Sequence, residues 1–351
     1  MANELLYPIK KKIPGLSYAF TLNGIELPVL DITHPDFVTC TNDKTLHKLL
    51  PYVQKNAEKN AEKFNKIPSF YKKYLIKHSF GMAELLDIDK QNMFASGITT
   101  IMMKLGPRLI GKGRKRFWDR QMNKGFGPLV IRMRARDISK CQAEILIPLL
   151  KNYPEKDLCF INIAGGSASD NINALFLIQN ENPTLLIKRK IEINVLDIDT
   201  FGPGFGGRCI TVLKKPNGRF NELDITFKHI HYDWNNVDNL AELLSERKGW
   251  LQLCSSEGGL FEYCSDEVII RNLNAVYTHS EDETAVIGTL LHDIKKIDAG
   301  MTASLKIITN IKPRLLGING LRSITEKNKW NIESIIEGNP RYLIFSLRKK
   351  I

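Results

Sequence analysis

The sequence predicts an α/β fold: a helical N-terminal region, then a doubly wound, mostly parallel sheet of about seven strands. Three observations carry that expectation. The hydrophobic pattern changes near residue 155, from helical periodicity to short apolar runs alternating with helical segments. Strands that alternate with helices need crossover connections, which makes neighbouring strands parallel and places helices on both faces of the sheet. The runs themselves, such as Leu158-Cys159-Phe160-Ile161-Asn162-Ile163, lack polar alternation, as strands buried on both faces should. With 351 residues, 43% hydrophobic and 25% charged, the chain can bury two cores and is excluded from the disordered class. The pattern divides it near residue 155.

In the first part, residues 43–66 carry a short KNAE repeat and read as one or two exposed helices; the repeat is too brief for a solenoid. Residues 69–78 and 80–110 place apolar side chains at helical spacing, among them Met82, Leu85, Leu86, Met93, Ile98, Ile101 and Met102. A basic, glycine-punctuated loop is expected over 111–128. There Lys112, Arg114, Lys115, Arg116, Arg120 and Lys124 surround Phe117 and Trp118. A helix over 137–152 follows, with Asp137 or Ser139 as its N-cap and Ile145, Leu146 and Leu149 on its apolar face.

In the second part, strand one (Leu158 to Ile163) breaks at Ala164-Gly165-Gly166-Ser167-Ala168, and helical spacing resumes from Ile172 to Gln179. Strand two, Ile191 to Leu196, ends in Asp197-Ile198-Asp199. Strand three, Ile225 to His231, ends in Tyr232-Asp233-Trp234, and its own histidines, His229 and His231, serve packing or strand hydrogen bonds. Strand four, Trp250 to Cys254, runs into Ser255-Ser256-Glu257-Gly258-Gly259. A fifth strand is expected at Leu305 to Thr309 and a last one at Tyr342 to Leu347. In such sheets ligands sit at the carboxyl ends of the strands, where Asn162, Asp197, Asp233 and Glu257 fall.

Charge and cysteine usage narrow the class. Lys and Arg number 50 against 38 Asp and Glu, a net charge of +12 that favours an anionic partner: nucleic acid, an acidic small molecule or a membrane surface. No stretch approaches the ~18 consecutive apolar residues of a membrane span. The basic run Lys10 to Lys12 has no apolar core behind it, unlike a secretory signal. Six cysteines without CxxC spacing or a nearby histidine argue against structural zinc and for free thiols in a reducing compartment. A cytoplasmic protein is expected, and the apolar stretches of 80–110 could pair two copies as a homodimer.

The glycine turn lets backbone approach a ligand closely at a helix N-terminus. A dinucleotide fingerprint is poorly matched, since only Gly165 and Gly166 are glycine and Asp197 lies 31 residues beyond Gly166. An acid ending strand two suits the two hydroxyls of a ribose. An Asp followed by Trp after strand three suits adenine, with the carboxylate on the exocyclic amine and the indole against the ring.

These features together resemble the class I S-adenosylmethionine-dependent methyltransferases. The family's acid-x-G-x-G-x-G motif is similar to Asn162-Ile163-Ala164-Gly165-Gly166-Ser167-Ala168, with Asn for the acid and Ala at two glycine places. The segment Gly320 to Lys349 also resembles the family's ending of helix, strand, turn at Asn339-Pro340, and a last strand inserted antiparallel. The resemblance covers about residues 130–351. It implies a Rossmann-like domain over those residues and S-adenosylmethionine as cofactor. The cofactor contacts it implies are Asn162, Ala164, Gly165, Gly166, Asp197 or Asp199, Asp233, Trp234 and Ser255. Residues 1–129 then act as a substrate or lid region for a small-molecule acceptor. A narrower resemblance joins Ser256 to Tyr263, and the following Asp266-Glu267-Val268, to the EGxLxY stretch of leucine carboxyl methyltransferase-like enzymes. It implies that Arg134 or Arg136 holds the cofactor's carboxylate.

The expected reaction is O-methylation. A carboxylate acceptor needs no base, whereas a phenol or alcohol needs one, and Glu257, His279 and His292 are the candidates. Interleaved cations and aromatics in 111–128 also allow an RNA acceptor, although no NPPY-like stretch is present. The imperfect glycine motif allows a non-catalytic cofactor-binding module of the same fold.

Overall fold

The computed structural model describes residues 6–79, 81, 97–111, 114–293 and 313–350. The described residues form two compact units, one up to Met133 and one from Arg134 on.

The first unit opens with an antiparallel hairpin, β1 (Tyr18–Phe20) and β2 (Glu26–Pro28). Helices α1 (Pro35–Thr41), α2 (Asp43–Asn65), α3 (Ser69–His78), α4 (Gly97–Leu109) and α5 (Arg114–Met122) follow, and α6 (Phe126–Asn152) begins. Two expectations are corrected here. The segment read as a basic loop contains α5, because 114–122 has neither Gly nor Pro and its Arg and Lys are good helix formers. Arg116, one of the cations of that expected loop, is enclosed and donates to the carbonyls of Tyr7, Glu26 and Ile110. Helix α6 starts at Phe126 rather than Asp137, since Pro128 sits in its first turn, where a missing N–H costs nothing. Asp137 and Ser139 are therefore interior. Asp137 accepts from Arg136, and Ser139 donates back to the carbonyl of Ala135. Met82, Leu85, Leu86, Met93, Lys112 and the strand expected at Leu305 to Thr309 lie outside the described residues.

In the second unit the apolar runs become β3 (Leu158–Ile163), β4 (Lys190–Asp197), β5 (Asp224–His231), β6 (Leu251–Ser256), β7 (Ala285–Leu291), β8 (Trp330–Ile336) and β9 (Tyr342–Lys349). The helices between them are α7 (Ser169–Glu181), α8 (Phe201–Leu213), α9 (Asp238–Glu246), α10 (Leu260–Tyr263), α11 (Asp266–His279) and α12 (Gly317–Glu326). The seven strands lie in the order β5-β4-β3-β6-β7-β9-β8. The pairs β3–β4, β3–β6, β4–β5 and β6–β7 are parallel, and β9 runs antiparallel between β7 and β8. The fold is thus α/β and Rossmann-like, with the antiparallel last strand that the sequence implied. The fifth parallel strand is β7, whose central Gly288 disguises it in the sequence. Gly288 stands opposite Phe345, and a Cβ there would come within 2.4 Å of the Phe345 ring and 2.7 Å of Phe261. Those two rings, edge to face, fill the space and join a core that includes Ile161, Leu196 and Trp330.

This order fixes where a ligand can sit. The chain fills one side of the sheet from β3 to β5 and the other from β6 to β7, so the order reverses between β3 and β6. A crevice opens outside the carboxyl ends of strands at such a reversal.

Candidate functional site

The turn leaving β3 is built from left-handed backbone. Ala164, Gly166 and Ala168 have φ of +53°, +61° and +49°. An alanine in that region costs on the order of 1–2 kcal/mol, so the surroundings must hold it. The N–H of Ala164 donates to the carbonyl of Leu196 at 2.8 Å, and that of Gly166 to Asp197 Oδ2 at 3.1 Å. A Cβ on Gly165 would fall 1.9 Å from Asn162 Oδ1, and one on Gly202 would fall 2.7 Å from the Cα of Gly166. The loop after β6 closes in from the other side, where a Cβ on Gly259 would lie 2.7 Å from that of Ala164. Loops from β3, β4 and β6 thus meet backbone against backbone.

Beneath the turn lies a buried polar network. Asn162 on β3 and Ser255 on β6 are register partners across the reversal point. Asn162 Nδ2 donates to Asp170 Oδ1 at 2.9 Å and Asn171 Oδ1 at 2.7 Å, and reaches Ser255 Oγ at 3.2 Å. Ser255 Oγ donates to Asp170 Oδ2 at 3.0 Å, and Gln142 on α6 donates to the same oxygen at 2.7 Å. Asn162 Oδ1 is enclosed without a partner. Asn162 and Ser255, expected as direct cofactor contacts, therefore support the turn from below. Sequence reasoning missed Gln142, Asp170 and Asn171. The available signal was Ser169-Asp170-Asn171, three polar residues opening a helix that then packs inward.

The two candidate acids after β4 differ in what they hold. Asp199 caps α8, accepting from the N–H groups of Phe201 at 3.1 Å and Gly202 at 3.0 Å. Asp197 faces the glycine turn and is only 7% exposed. Its Oδ2 accepts from Gly166 and its Oδ1 from the N–H of Asp199 at 2.9 Å. Burial pushes the Asp197 carboxyl above the usual Asp value, against the pull of those two N–H groups. After β5, Asp233 is exposed and accepts from Asn235, while Trp234 is half-buried against the core.

The arginine and base candidates are rearranged. Arg134 is buried and committed to two acids: its Nε donates to Glu257 at 3.1 Å and its Nη1 to Glu262 at 3.2 Å. Glu262 also accepts from Thr289 at 2.7 Å. The Arg134 guanidinium lies 4.4 Å from the Tyr342 ring centroid. Burial alone would depress its pKa, but Tyr342, Glu262 and Glu257 reverse that and hold it above the ordinary value. Arg134 thus has its guanidinium occupied where a cofactor carboxylate was expected, and Glu257 is an ion-pair partner rather than an accessible base. Arg136 keeps Asp137 as its partner at 2.6 Å, with its side chain 16% exposed. His279 is corrected too. It ends α11, sharing a hydrogen bond with Ser245 at 3.1 Å. Helix α11 runs back toward the amino end of β7, so His279 stands at the edge of the sheet opposite Asp197. His292 follows β7 at the carboxyl edge, buried, with Nε2 3.0 Å from the carbonyl of Asn339.

The site fits S-adenosylmethionine in two respects. Each Asp197 oxygen has one backbone N–H and retains a further lone pair for a hydroxyl, and Asp233 with Trp234 ends the next strand. The fit does not extend to Arg134. Among the described residues no helix is long and apolar enough to cross a membrane.

No family profile and no curated protein sequence matches the chain. Solved structures do. A protein described as a possible exported protein from Bordetella parapertussis matches at 14% identity and a TM-score of 0.51, over 87% of this chain and 97% of that one. The mitomycin 7-O-methyltransferase MmcR matches at 11% identity and a TM-score of 0.39, over 78% and 70%. LepI in complex with S-adenosylmethionine matches at 10% identity and a TM-score of 0.37, and the match spans 56% of this chain and 44% of LepI. At such identities the shared property is the fold. The strand order, the inserted antiparallel β9 and the glycine turn at the reversal point give this chain a Rossmann-like α/β fold, and the Bordetella protein shares that fold over most of the chain.

Proposed function

We propose that the chain is an S-adenosylmethionine-dependent methyltransferase acting on an oxygen of a small-molecule acceptor. The observation that carries this is Asp197, a buried carboxylate tied to the glycine turn at the reversal point and still able to accept two hydroxyls. In this reading Asp197 takes the ribose, because Asp199 is occupied in capping α8. Asp233 and Trp234 meet the adenine, Gly165 and Gly166 let the backbone pass close to the ligand, and Arg136 faces the methionine carboxylate. The bound cofactor supplies an activated methyl group together with its own leaving group. What the chain must add is alignment of the acceptor oxygen, which accounts for much of the rate. For an alcohol or phenol it must also take a proton. In this reading His292 takes it: its Nε2–H donates to the carbonyl of Asn339, which leaves Nδ1 as the basic nitrogen. A cytoplasmic location fits six cysteines that all remain free thiols.

Titration calorimetry with S-adenosylmethionine tests the reading. The wild-type chain should bind, and Asp197→Ala and Asp233→Ala should each lose about 1–3 kcal/mol, the usual penalty for unpairing polar groups. A wild-type chain that does not bind overturns it. Binding without turnover of hydroxyl or carboxyl acceptors would favour a non-catalytic cofactor-binding module.

RNA as acceptor is the second reading, and one observation favours it. Exposed Tyr71, Tyr74 and Phe117 cluster with Trp118 in the first unit, Tyr71 and Tyr74 stacked at 5.9 Å. Such rings can stack bases beside the cations of the same helices. Affinity for single-stranded RNA that falls steeply with salt would select this reading.

A further inference from the structure

Asp233 and Trp234 stand on a turn that the sheet itself does not hold. Strand β5 is the edge strand, paired with β4 alone. Its last ladder partners are Asp197 and His231, and one residue on, the N–H of Tyr232 still reaches the carbonyl of Asp197 at 3.3 Å. Past that point β4 has ended and no ladder continues. A carboxylate that is to tell one base from another must be fixed to within about half an ångström. Another element has to supply that order.

Helix α11 supplies it. Asn272 Nδ2 donates to the carbonyl of Trp234 at 2.9 Å and to that of Val268, one turn back in the helix, also at 2.9 Å. Its Oδ1 accepts from the Tyr232 hydroxyl at 2.6 Å. Burial raises the Tyr232 phenol, which therefore stays protonated as a donor. The neighbouring Arg271 donates from Nη1 to the carbonyl of Asn235 at 2.8 Å. Asn235 in turn gives its N–H, at 3.0 Å, and its Nδ2, at 2.8 Å, to Asp233 Oδ1. Two side chains of α11 thus grip two successive carbonyls of the turn, and through Asn235 they orient the Asp233 carboxylate. Asn272 is also costly where it stands. It is buried in the interior of a helix whose Ile269, Leu273 and Val276 join the apolar core. An amide there lowers helix propensity and has to be bonded at every polar atom. An apolar side chain would serve packing alone, so the amide is accounted for by the turn it holds.

We infer that Asn272 and Arg271 are positioning residues that set the preference for adenine over a base without its exocyclic amine, an inference resting on the methyltransferase reading above for the identity of the base. Asp233 does the recognising, with its carboxylate accepting from the amine. Asn272 and Arg271 act through the turn: they keep that carboxylate aimed at the base instead of at water. Loosening the turn should therefore cost discrimination between bases, which a change in stability alone would leave intact.

The test compares two probes on the full chain by calorimetry: S-adenosylhomocysteine, and S-inosylhomocysteine, in which a carbonyl oxygen replaces the adenine amine. The wild type should bind the adenine form at least about tenfold more tightly, the worth of a hydrogen bond to a charged group. Asn272→Ala should narrow that ratio to about threefold or less, chiefly by weakening the adenine form. Arg271→Gln, an exposed change that scarcely alters stability, should narrow it in the same direction. Urea midpoints report folding, and if Asn272→Ala does not fold, Arg271→Gln alone decides. A folded variant that binds both probes more weakly but keeps the wild-type ratio would overturn the inference, as would a wild type that binds the two probes equally. Either result leaves the methyltransferase reading standing. A wild type that binds neither probe overturns that reading and the inference with it.

Discussion

Asp197 has to satisfy two groups at once. Its oxygens hold the N–H of Gly166, which fixes the glycine turn, and the N–H of Asp199, which starts the chain toward α8. Enclosure disfavours its charge, so the carboxyl titrates above the ordinary Asp value. The sign of the consequence follows from linkage. A carboxyl whose folded-state pKa is raised contributes stability that is present below its unfolded value and is lost as pH rises through the folded one. The unliganded protein at neutral pH therefore bears a penalty at this residue, and hydroxyls donated to the carboxylate relieve it. Cofactor affinity should then fall on acidification, with a midpoint above the ordinary Asp value of about 4. Calorimetry across the acid range on wild type and Asp197→Asn reads this directly. The wild type should lose affinity as pH drops and the variant, already weak, should change little. Parallel profiles for the two would remove Asp197 from the site.

Among the elements, the least expected contact is the one that admits β9. An antiparallel strand beside β7 brings the rings of Phe345 and Phe261 over the backbone at Gly288. Gly288→Val should cost about 1–3 kcal/mol through overpacking, seen as a lower urea midpoint. Gly338→Ala, with open space around it, should stay within about 0.5 kcal/mol. Equal midpoints for the two would show that the rings move aside. The same glycine explains why β7 was hard to read in the sequence, whereas β3, β4 and β6, with unbroken apolar runs, were plain. The basic stretch holding α5 is punctuated by glycines on both sides and so resembles a loop, while its enclosed Arg116 donates to three backbone carbonyls. At the site, Asp197 and the glycine turn were legible because strand ends in a parallel sheet share one edge. Glu257 as an ion-pair partner was not, because Arg134, 123 residues earlier in the chain, supplies the other half. His279 follows strand four in sequence, but α11 carries it back to the opposite edge. Long-range pairing and helix length, neither of which a local motif contains, decide both cases.

For the whole molecule, the thiols report how the protein opens under stress. Cys40 belongs to the first unit and is half-buried; Cys141, Cys159, Cys209, Cys254 and Cys264 belong to the second and are buried. Burial pushes Cys141, Cys159 and Cys264 up to about 12, and Cys209 and Cys254 are raised as well. A thiol must reach solvent and ionise before it attacks a disulfide reagent. At neutral pH the native protein should therefore yield one fast thiol, Cys40, and all six when unfolded. The remaining five sit on α6, β3, α8, β6 and the loop after α10. They span the sheet and helices packed on it, so they test whether the second unit opens in one step. If it does, the five should react at a common rate whose dependence on urea matches the global transition, as exchange through cooperative opening requires. Mass spectrometry of partly labelled protein then shows species with one and six labels and little between. Cys264 or Cys141 reacting well ahead of Cys159 and Cys254 would instead show that the edge of this unit opens while β3 and β6 stay paired.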